Sequence, residues 1–139
     1  SAFDSAGQRC SALRVLCVQE DAADRIVQML KGAMAEYRLG SPEHIEADIG
    51  PVIDEDAKDI IDRHIQEMRQ LGRNVFQAAR FQHGDVANGT FVVPTLIELE
   101  SFNELKKEIF GPVLHLVRYK RAELSALLQQ INASGYGLT

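Results

Sequence analysis

Short apolar runs alternate in this chain of 139 residues with longer stretches whose apolar residues recur every three or four positions. The runs at 13–18 and 113–117 are short and contain several β-branched valines, as buried strands do. The stretches at 20–37 and 54–71 each carry one apolar face and predict amphipathic helices. Because strands that alternate with helices are usually joined in parallel, the pattern favours an α/β layer with at least part of its sheet parallel.

Residues that cap helices or form turns divide the rest of the chain into shorter elements. Asp4 and Ser5 are good N-cap residues and predict a short helix over 4–13. Asp54 predicts the start of another helix, and Gly72 predicts where that helix ends. The remaining expectations are strands over 75–78, 90–93 and 95–99, a brief helix over 101–107, a last helix over 121–133, and loops over 40–53 and 82–89.

The composition limits the classes of protein to which this chain can belong. A hydrophobic content of 45% with 25% charged residues is ordinary for one soluble globular domain. The net charge of −5 argues against a nucleic-acid partner, since a surface that follows phosphates needs a basic excess. Two cysteines and four histidines show no disulfide framework and no zinc-ligand spacing. We therefore expect no metal and a reducing, cytoplasmic location.

Cys10 is the candidate nucleophile of the chain. It lies between a cation, Arg9, and a hydroxyl, Ser11, within the helix predicted over 4–13. Amides at a helix start and a neighbouring cation both favour the reactive thiolate. The ordinary alternative is that Cys10 is a small buried apolar residue, as most cysteines are, and the local chemistry alone leaves that alternative open. The second cysteine, Cys17, lies in an apolar run and is expected to be inert.

Four segments in a fixed order give the chain a resemblance to a known family. They are Gly-Gln-Arg-Cys at 7–10, Ile-Gly-Pro-Val-Ile at 49–53, Gly-Thr-Phe-Val-Val-Pro-Thr-Leu-Ile at 89–97 and Glu-Ile-Phe-Gly-Pro-Val at 108–113. Together they resemble the aldehyde dehydrogenase superfamily. The sequences of residues 1–14 and 130–139 are similar to the pyrroline-5-carboxylate dehydrogenase part of the bifunctional proline utilization A family. The resemblance implies an open, mostly parallel sheet flanked by helices, as a partial aldehyde dehydrogenase catalytic domain.

The resemblance also implies roles for individual residues. Cys10 would attack the aldehyde carbon, hydride would leave to NAD, and water would hydrolyse the resulting thioester. Glu108 would accept hydrogen bonds from the nicotinamide-ribose hydroxyls, with Phe110 packed against the same end of the cofactor. Arg9 and Ser11 could help hold the α-carboxylate of glutamate semialdehyde, although a local ion pair and a backbone hydrogen bond are equally good explanations of these two residues. Folding is expected to bring Cys10 and the 108–110 segment to one cavity.

The resemblance further implies that residues 1–139 are one part of a longer enzyme. In the family, the NAD-binding domain and the general base precede the cysteine, and FAD belongs only to a separate proline dehydrogenase domain. The expected partners are therefore the remainder of the polypeptide, a small-molecule aldehyde and further copies in a homo-oligomer. The isolated segment is expected to be inactive and to self-associate. Two alternatives stay open: a non-enzymatic α/β scaffold or interaction domain, and an aldehyde dehydrogenase of other substrate specificity.

Overall fold

A four-stranded sheet organises the computed structural model, which describes residues 1–81 and 89–135. The strands are β1 (Val15–Gln19), β2 (Arg38–Leu39), β3 (Asn74–Gln77), β4 (Arg80–Phe81), β5 (Thr95–Leu99) and β6 (Val113–Tyr119). Strands β1 and β5 both pair in parallel with β6, and β3 pairs antiparallel with β5, so the order across the sheet is β1-β6-β5-β3. The predicted α/β fold with a mostly parallel sheet is confirmed.

Three helices follow the predicted pattern closely: α1 (Glu20–Glu36), α2 (Glu55–Gln70) and α3 (Leu124–Ala133). Asp54 caps α2, because its carboxylate accepts a hydrogen bond from the Ala57 N–H at 2.8 Å. Gly72 ends the same helix at a φ of +75°, and the following Arg73 N–H donates to the Met68 carbonyl at 3.0 Å. Among the described residues, no helix is long and apolar enough to cross a membrane.

The core lies on both faces of β6, the strand with a parallel neighbour on each side. Val113 and Leu116 are fully buried there, as is Ile97 on the adjacent β5. Ile61 and Ile65 of α2 and Met34 of α1 complete the packing at 2% exposure or less. Because parallel neighbours start at the same edge of a sheet, the segments that precede β1 and β6 must lie side by side.

The helix predicted over 4–13 is wrong. Only one 3₁₀ turn forms, Asp4–Gly7, and within it Ser5 and Ala6 have a φ of +52°. These left-handed conformations are costly for residues with a side chain, at roughly 1–2 kcal/mol each. Gly7 is also left-handed and lies against Gly111, so a Cβ at Gly7 would meet the Gly111 carbonyl oxygen at 1.9 Å. This contact, about a hundred residues distant in sequence, overrides the local helix preference.

Other differences lie in the loops. The strand predicted over 90–93 does not form, because Thr90 instead bonds to Val52: the Val52 N–H donates to its carbonyl at 2.9 Å. The helix predicted over 101–107 is one 3₁₀ turn, Phe102–Glu104, and the last helix begins with another, Arg121–Glu123. β2 and β4 pair with each other in parallel and were not predicted. The predicted turn over 82–89 lies outside the described residues except for Gly89.

Candidate active site

Cys10 lies on an exposed turn that directly precedes β1. The Ala12 N–H donates to the Arg9 carbonyl at 3.1 Å, and this bond places Cys10 and Ser11 at the corner of the turn. Arg9, Cys10 and Ser11 are all exposed. The alternative of a buried, apolar cysteine is therefore wrong, and so is the argument from helix-terminal amides, because no helix begins at this turn. What the structure provides instead is a cysteine exposed to solvent.

Glu108 and Phe110 lie at the same edge of the sheet as Cys10. Cys10 precedes β1 by five residues, and Glu108 precedes β6 by five residues. Since β1 and β6 are parallel neighbours, with Val15 opposite His115, the two preceding segments leave the sheet side by side. Glu108 keeps 29% of its side chain exposed, and Phe110 is 47% exposed. An acid and an aromatic ring thus remain open to solvent beside the cysteine turn.

Arg14 joins these two segments physically. Its Nε donates to Glu108 Oε1 at 3.2 Å, and its guanidinium carbon lies 4.5 Å from the centroid of the Phe110 ring. On the other side, Nη2 donates to the Arg9 carbonyl at 2.8 Å and Nη1 donates to the Gly7 carbonyl. One side chain therefore contacts both the cysteine turn and the acid–aromatic pair, with only 11% of its own surface exposed.

The four sequence landmarks meet at this edge. Gln8 of the first landmark accepts a hydrogen bond from the Ile53 N–H of the second at 2.8 Å, through its side-chain Oε1. The third landmark bonds to the second through Thr90 and Val52, and to the fourth where the Thr95 N–H donates to Pro112 at 2.9 Å. Segments that are far apart in sequence thus form one connected group of contacts around the cysteine turn.

A buried histidine pair lies behind Arg14. Both the backbone N–H of His115, at 2.9 Å, and its ring Nδ1, at 3.1 Å, face the Arg14 carbonyl oxygen. A carbonyl only accepts, so Nδ1 carries the hydrogen and Nε2 of the neutral ring accepts. The facing His64 Nε2, 2.8 Å away, must then be the donor. His64 and His115 are 6% and 0% exposed, and the hydrogen bonds of His115 anchor the main chain of Arg14.

Burial changes the acid–base behaviour of several groups. It lowers the pKa of His115 to about 4, with the charges of His64 and Arg14 acting in the same direction. Burial likewise lowers the pKa of His64. Burial raises the pKa of the Cys17 thiol on β1, which keeps that sulfur protonated and in agreement with the expected inert role. Among residues 1–81 and 89–135, no three His, Cys, Asp or Glu side chains could hold a metal ion together.

Sequence reasoning missed Arg14 and the His64–His115 contact. Arg14 was visible only as the last residue of the cysteine segment, although a charged residue directly before a half-buried strand is a signal that it needs a partner. Its partner, Glu108, is 94 positions away, and the two histidines are separated by 51 positions. Neither pairing has a local pattern from which it could be predicted.

The fold and this connected group of motifs are those of the aldehyde dehydrogenase family. The model of the aldehyde dehydrogenase family matches residues 1–139, and the chain therefore belongs to that family. The similarity is more specific than the family. Over its whole length the chain is 66% identical to Bifunctional protein PutA of Klebsiella aerogenes and 64% identical to that of Escherichia coli (strain K12). It spans 11% of the length of these relatives.

Solved structures give the same result. A crystal structure of bifunctional proline utilization A (PutA) matches with a TM-score of 0.89 at 45% identity, over 99% of this chain and 13% of that chain. Methylmalonate-semialdehyde dehydrogenase (DddC) from Oceanimonas doudoroffii matches with a TM-score of 0.80 at 31% identity, over 95% and 28% of the two chains. The predicted family and the predicted similarity to proline utilization A are both confirmed.

Proposed function

We propose that this chain is the cysteine-bearing segment of an NAD-dependent dehydrogenase that oxidises glutamate semialdehyde, formed from pyrroline-5-carboxylate, to glutamate. The family membership supports an oxidoreductase of aldehydes as the longer protein. The identity of 66% to Bifunctional protein PutA and the likeness to solved proline utilization A structures support a substrate from proline catabolism. Cys10, Glu108 and Phe110 are the residues to which we assign the chemistry.

The single observation that carries the proposal is the junction at Arg14. One guanidinium group joins the turn that carries the exposed Cys10 to a partly exposed carboxylate and a partly exposed aromatic ring. A nucleophile alone would fit many enzymes, and an acid beside a ring would fit many binding sites. Their combination fits a reaction in which a covalently held substrate must lie against a cofactor.

The donor and acceptor chemistry of the site fits NAD. A carboxylate offers only acceptors, which suits the two hydroxyl donors of a ribose. Glu108 presents such a carboxylate, and its contact to Arg14 involves Oε1. Phe110 offers an apolar ring at the same place, 47% exposed, on which a flat ring of a cofactor can pack. We assign Glu108 to the ribose and Phe110 to the nicotinamide end.

The residues of the chain then act in a definite order. The thiolate of Cys10 attacks the aldehyde carbon, and the new C–S bond gives a thiohemiacetal. Glu108 and Phe110 would hold NAD, which would supply the acceptor for the hydride that leaves this carbon. The thioester that remains on the Cys10 sulfur is hydrolysed by water, which releases glutamate and restores the thiol. Arg9 and Ser11 flank the sulfur and are exposed, so we assign them to the carboxylate of the substrate.

The test uses a chimera: full-length PutA of Klebsiella aerogenes in which this chain replaces the matching segment. We expect the chimera to form NADH from glutamate semialdehyde, and we expect Cys10→Ala to reduce kcat by about a thousandfold or more, as removal of a nucleophile does. The matched control is Cys17→Ala, a second cysteine on β1, which should leave the rate within about twofold. A Cys10→Ala chimera that keeps its activity would overturn the proposal.

The substrate preference needs a separate experiment, because malonate-semialdehyde dehydrogenase of Bacillus pumilus is 35% identical to this chain. We expect kcat/KM for glutamate semialdehyde to exceed that for malonate semialdehyde and for acetaldehyde. A preference for malonate semialdehyde would replace the proposed specificity. We also expect NAD to be used better than NADP. The maize relative at 30% identity, named as NADP-dependent, makes NADP the natural comparison.

The proposal also concerns the longer protein to which the segment belongs. We infer that it works within one longer polypeptide, that FAD belongs to a separate domain of that polypeptide, and that the enzyme is a cytoplasmic homo-oligomer. Both cysteines of the described residues are free thiols, as the proposed chemistry of Cys10 requires. Ile45 and Ile53 are 101% and 82% exposed, which suits surfaces that pack on other parts of an enzyme. The 139-residue segment alone should form no NADH.

A further inference from the structure

Arg14 makes more polar contacts at the candidate site than an ion pair with Glu108 alone would need. Its guanidinium group donates to two backbone carbonyls of the cysteine segment, at Gly7 and Arg9, and to the carboxylate of Glu108. Its plane also lies over the Phe110 ring. A guanidinium group has five N–H donors in a fixed planar arrangement, so these contacts can be made together in only a narrow range of geometries.

The backbone of Arg14 is held as firmly as its side chain. Its carbonyl oxygen accepts two hydrogen bonds from His115 on the central strand, one from the backbone and one from the ring. His64 on α2 supports that ring from behind with a further hydrogen bond. Arg14 is therefore fixed to the core at one end and to both parts of the candidate site at the other.

We propose that Arg14 is a positioning residue that sets the distance between the Cys10 sulfur and the cofactor-binding carboxylate of Glu108. The inference rests on the proposed function, because it concerns the same site. Arg14 touches no reacting atom; it acts through Glu108, whose Oε1 it contacts and whose Oε2 we assign to the ribose hydroxyls, and through the turn that carries Cys10. A change in Arg14 thus moves the cofactor and the nucleophile relative to each other.

Replacing Arg14 by lysine distinguishes the contribution of its hydrogen-bond geometry from that of its charge. Arg14→Lys keeps a cation, but an ammonium group is a compact charge that cannot serve two carbonyls, a carboxylate and a ring in the same geometry. In the chimera we expect Arg14→Lys to raise KM for NAD about tenfold and to lower kcat by a further tenfold, because a charge-assisted bond and the alignment it maintains are both lost. KM for the aldehyde should change less than KM for NAD.

The matched control is Arg73→Lys. Arg73 is 16% exposed and pairs with the carboxylates of Glu100 and Glu104, so it resembles Arg14 in burial and charge. Its replacement should lower the melting temperature by a similar amount and leave KM for NAD unchanged. A double-mutant cycle gives the second readout. The effects of Arg14→Lys and Glu108→Gln on KM for NAD should fall short of additive if Arg14 acts through Glu108.

The outcomes distinguish this inference from the proposed function. A chimera whose NADH formation survives Cys10→Ala overturns the proposed function. A chimera that loses activity with Cys10→Ala but keeps its KM for NAD and its kcat with Arg14→Lys overturns the positioning role alone, as do fully additive effects in the cycle. Should Arg14→Lys fail to fold, Arg14→Gln, which keeps part of the stem and an amide donor, is measured with the same two readouts and the same criteria.

Discussion

Two corners of the molecule each contain a left-handed glycine and a largely buried arginine, but the residues that contact these two differ. The active-site corner contains a left-handed glycine, Gly7, and a largely buried arginine, Arg14. The helix-end corner, at the end of α2, contains a left-handed glycine, Gly72, and a largely buried arginine, Arg73. Ion pairing does not distinguish the two corners, since each arginine pairs with a carboxylate. Of the two, the active-site corner lies beside an exposed cysteine.

The difference lies in the partners. Arg73 pairs with two carboxylates and joins α2 to the capped turn at Phe102–Glu104, so both of its partners come from one short segment. Arg14 pairs with one carboxylate, two carbonyls and a ring that come from two distant segments. The glycines differ likewise: Gly72 has open space around its missing side chain, whereas Gly7 lies against Gly111. Dense contacts between distant segments, and not charge pairing, mark the functional corner.

The largest effect that would test this difference is expected at Gly7. A Cβ in Gly7→Ala would lie 1.9 Å from the Gly111 carbonyl oxygen, so backbone must move, and the left-handed φ of +65° adds strain. We expect the 139-residue chain to lose about 3 kcal/mol or more of its free energy of unfolding. In the chimera, kcat should fall by about a hundredfold, since a 1 Å displacement of a reacting group costs that much. Urea denaturation and NADH formation measure the two effects.

Gly72→Ala is the matched control for that experiment. Its φ of +75° brings a similar strain, but no atom lies within 4 Å of the added Cβ. We expect a loss of about 1 kcal/mol and an unchanged kcat. Equal losses for the two alanine variants would contradict the claim that the contact with Gly111, and not the backbone conformation, sets the active-site corner apart.

The second effect concerns pH and the histidine pair that supports Arg14. The pKa of His115 falls from 6.5 to about 4 on folding, because burial disfavours the charged ring. Between these values the unfolded chain binds more protons than the folded one, so the free energy of unfolding falls as the pH is lowered from 6.5 to 4. The loss amounts to about 3 kcal/mol when the pH reaches 4, and His115 contributes no slope above 6.5. The charged or titratable groups that face the pair are Arg14, Glu67 and Lys107.

Urea denaturation of the 139-residue chain at several pH values measures this slope. His115→Gln removes the titrating group, so the curve of this variant should be flatter between pH 6.5 and 4 even if the variant is less stable throughout. His44→Gln is the control, because His44 is exposed, and it should keep the slope of the unchanged chain. A His115→Gln curve parallel to that of the unchanged chain would show that the buried pair does not control the acid sensitivity.

The smallest effect is expected at the start of α2. Asp54→Ala removes the carboxylate that accepts from the Ala57 N–H at the start of α2. We expect a loss of about 1 kcal/mol in the free energy of unfolding and no change in KM for NAD in the chimera, since the cap lies at neither end of Arg14. A clear rise in KM for NAD would mean that the start of α2 transmits its position to the active-site corner through the neighbouring Ile53, whose N–H donates to Gln8.

The parts of the fold that depend on local chemistry could be predicted from the sequence. The apolar faces of α1 and α2, the Asp54 cap and the Gly72 stop each depend on residues close by in sequence, and the structure has them where they were expected. The sequence motifs likewise predicted the aldehyde dehydrogenase family correctly. Cys10 was singled out in the same way, although its exposure was not foreseen.

The features that were not predicted depend on contacts between residues far apart in sequence. The left-handed turn at Ser5 and Ala6 exists because Gly7 must approach Gly111, and no rule based on neighbouring residues contains that information. The partners of Arg14 and the contact between His64 and His115 have the same origin. The active-site corner was therefore predictable in its residue types and unpredictable in its geometry.

The most direct test of the central claim is the rate at which iodoacetamide alkylates Cys10 in the chimera, with and without NAD. If the cysteine turn and the 108–110 segment form one site, NAD bound at Glu108 and Phe110 should slow the alkylation of Cys10 several-fold and leave Cys17 unaffected. Glu108→Gln should raise the NAD concentration needed for half of that protection. A Cys10 alkylation rate that saturating NAD leaves unchanged, in a chimera that binds NAD, would contradict the account.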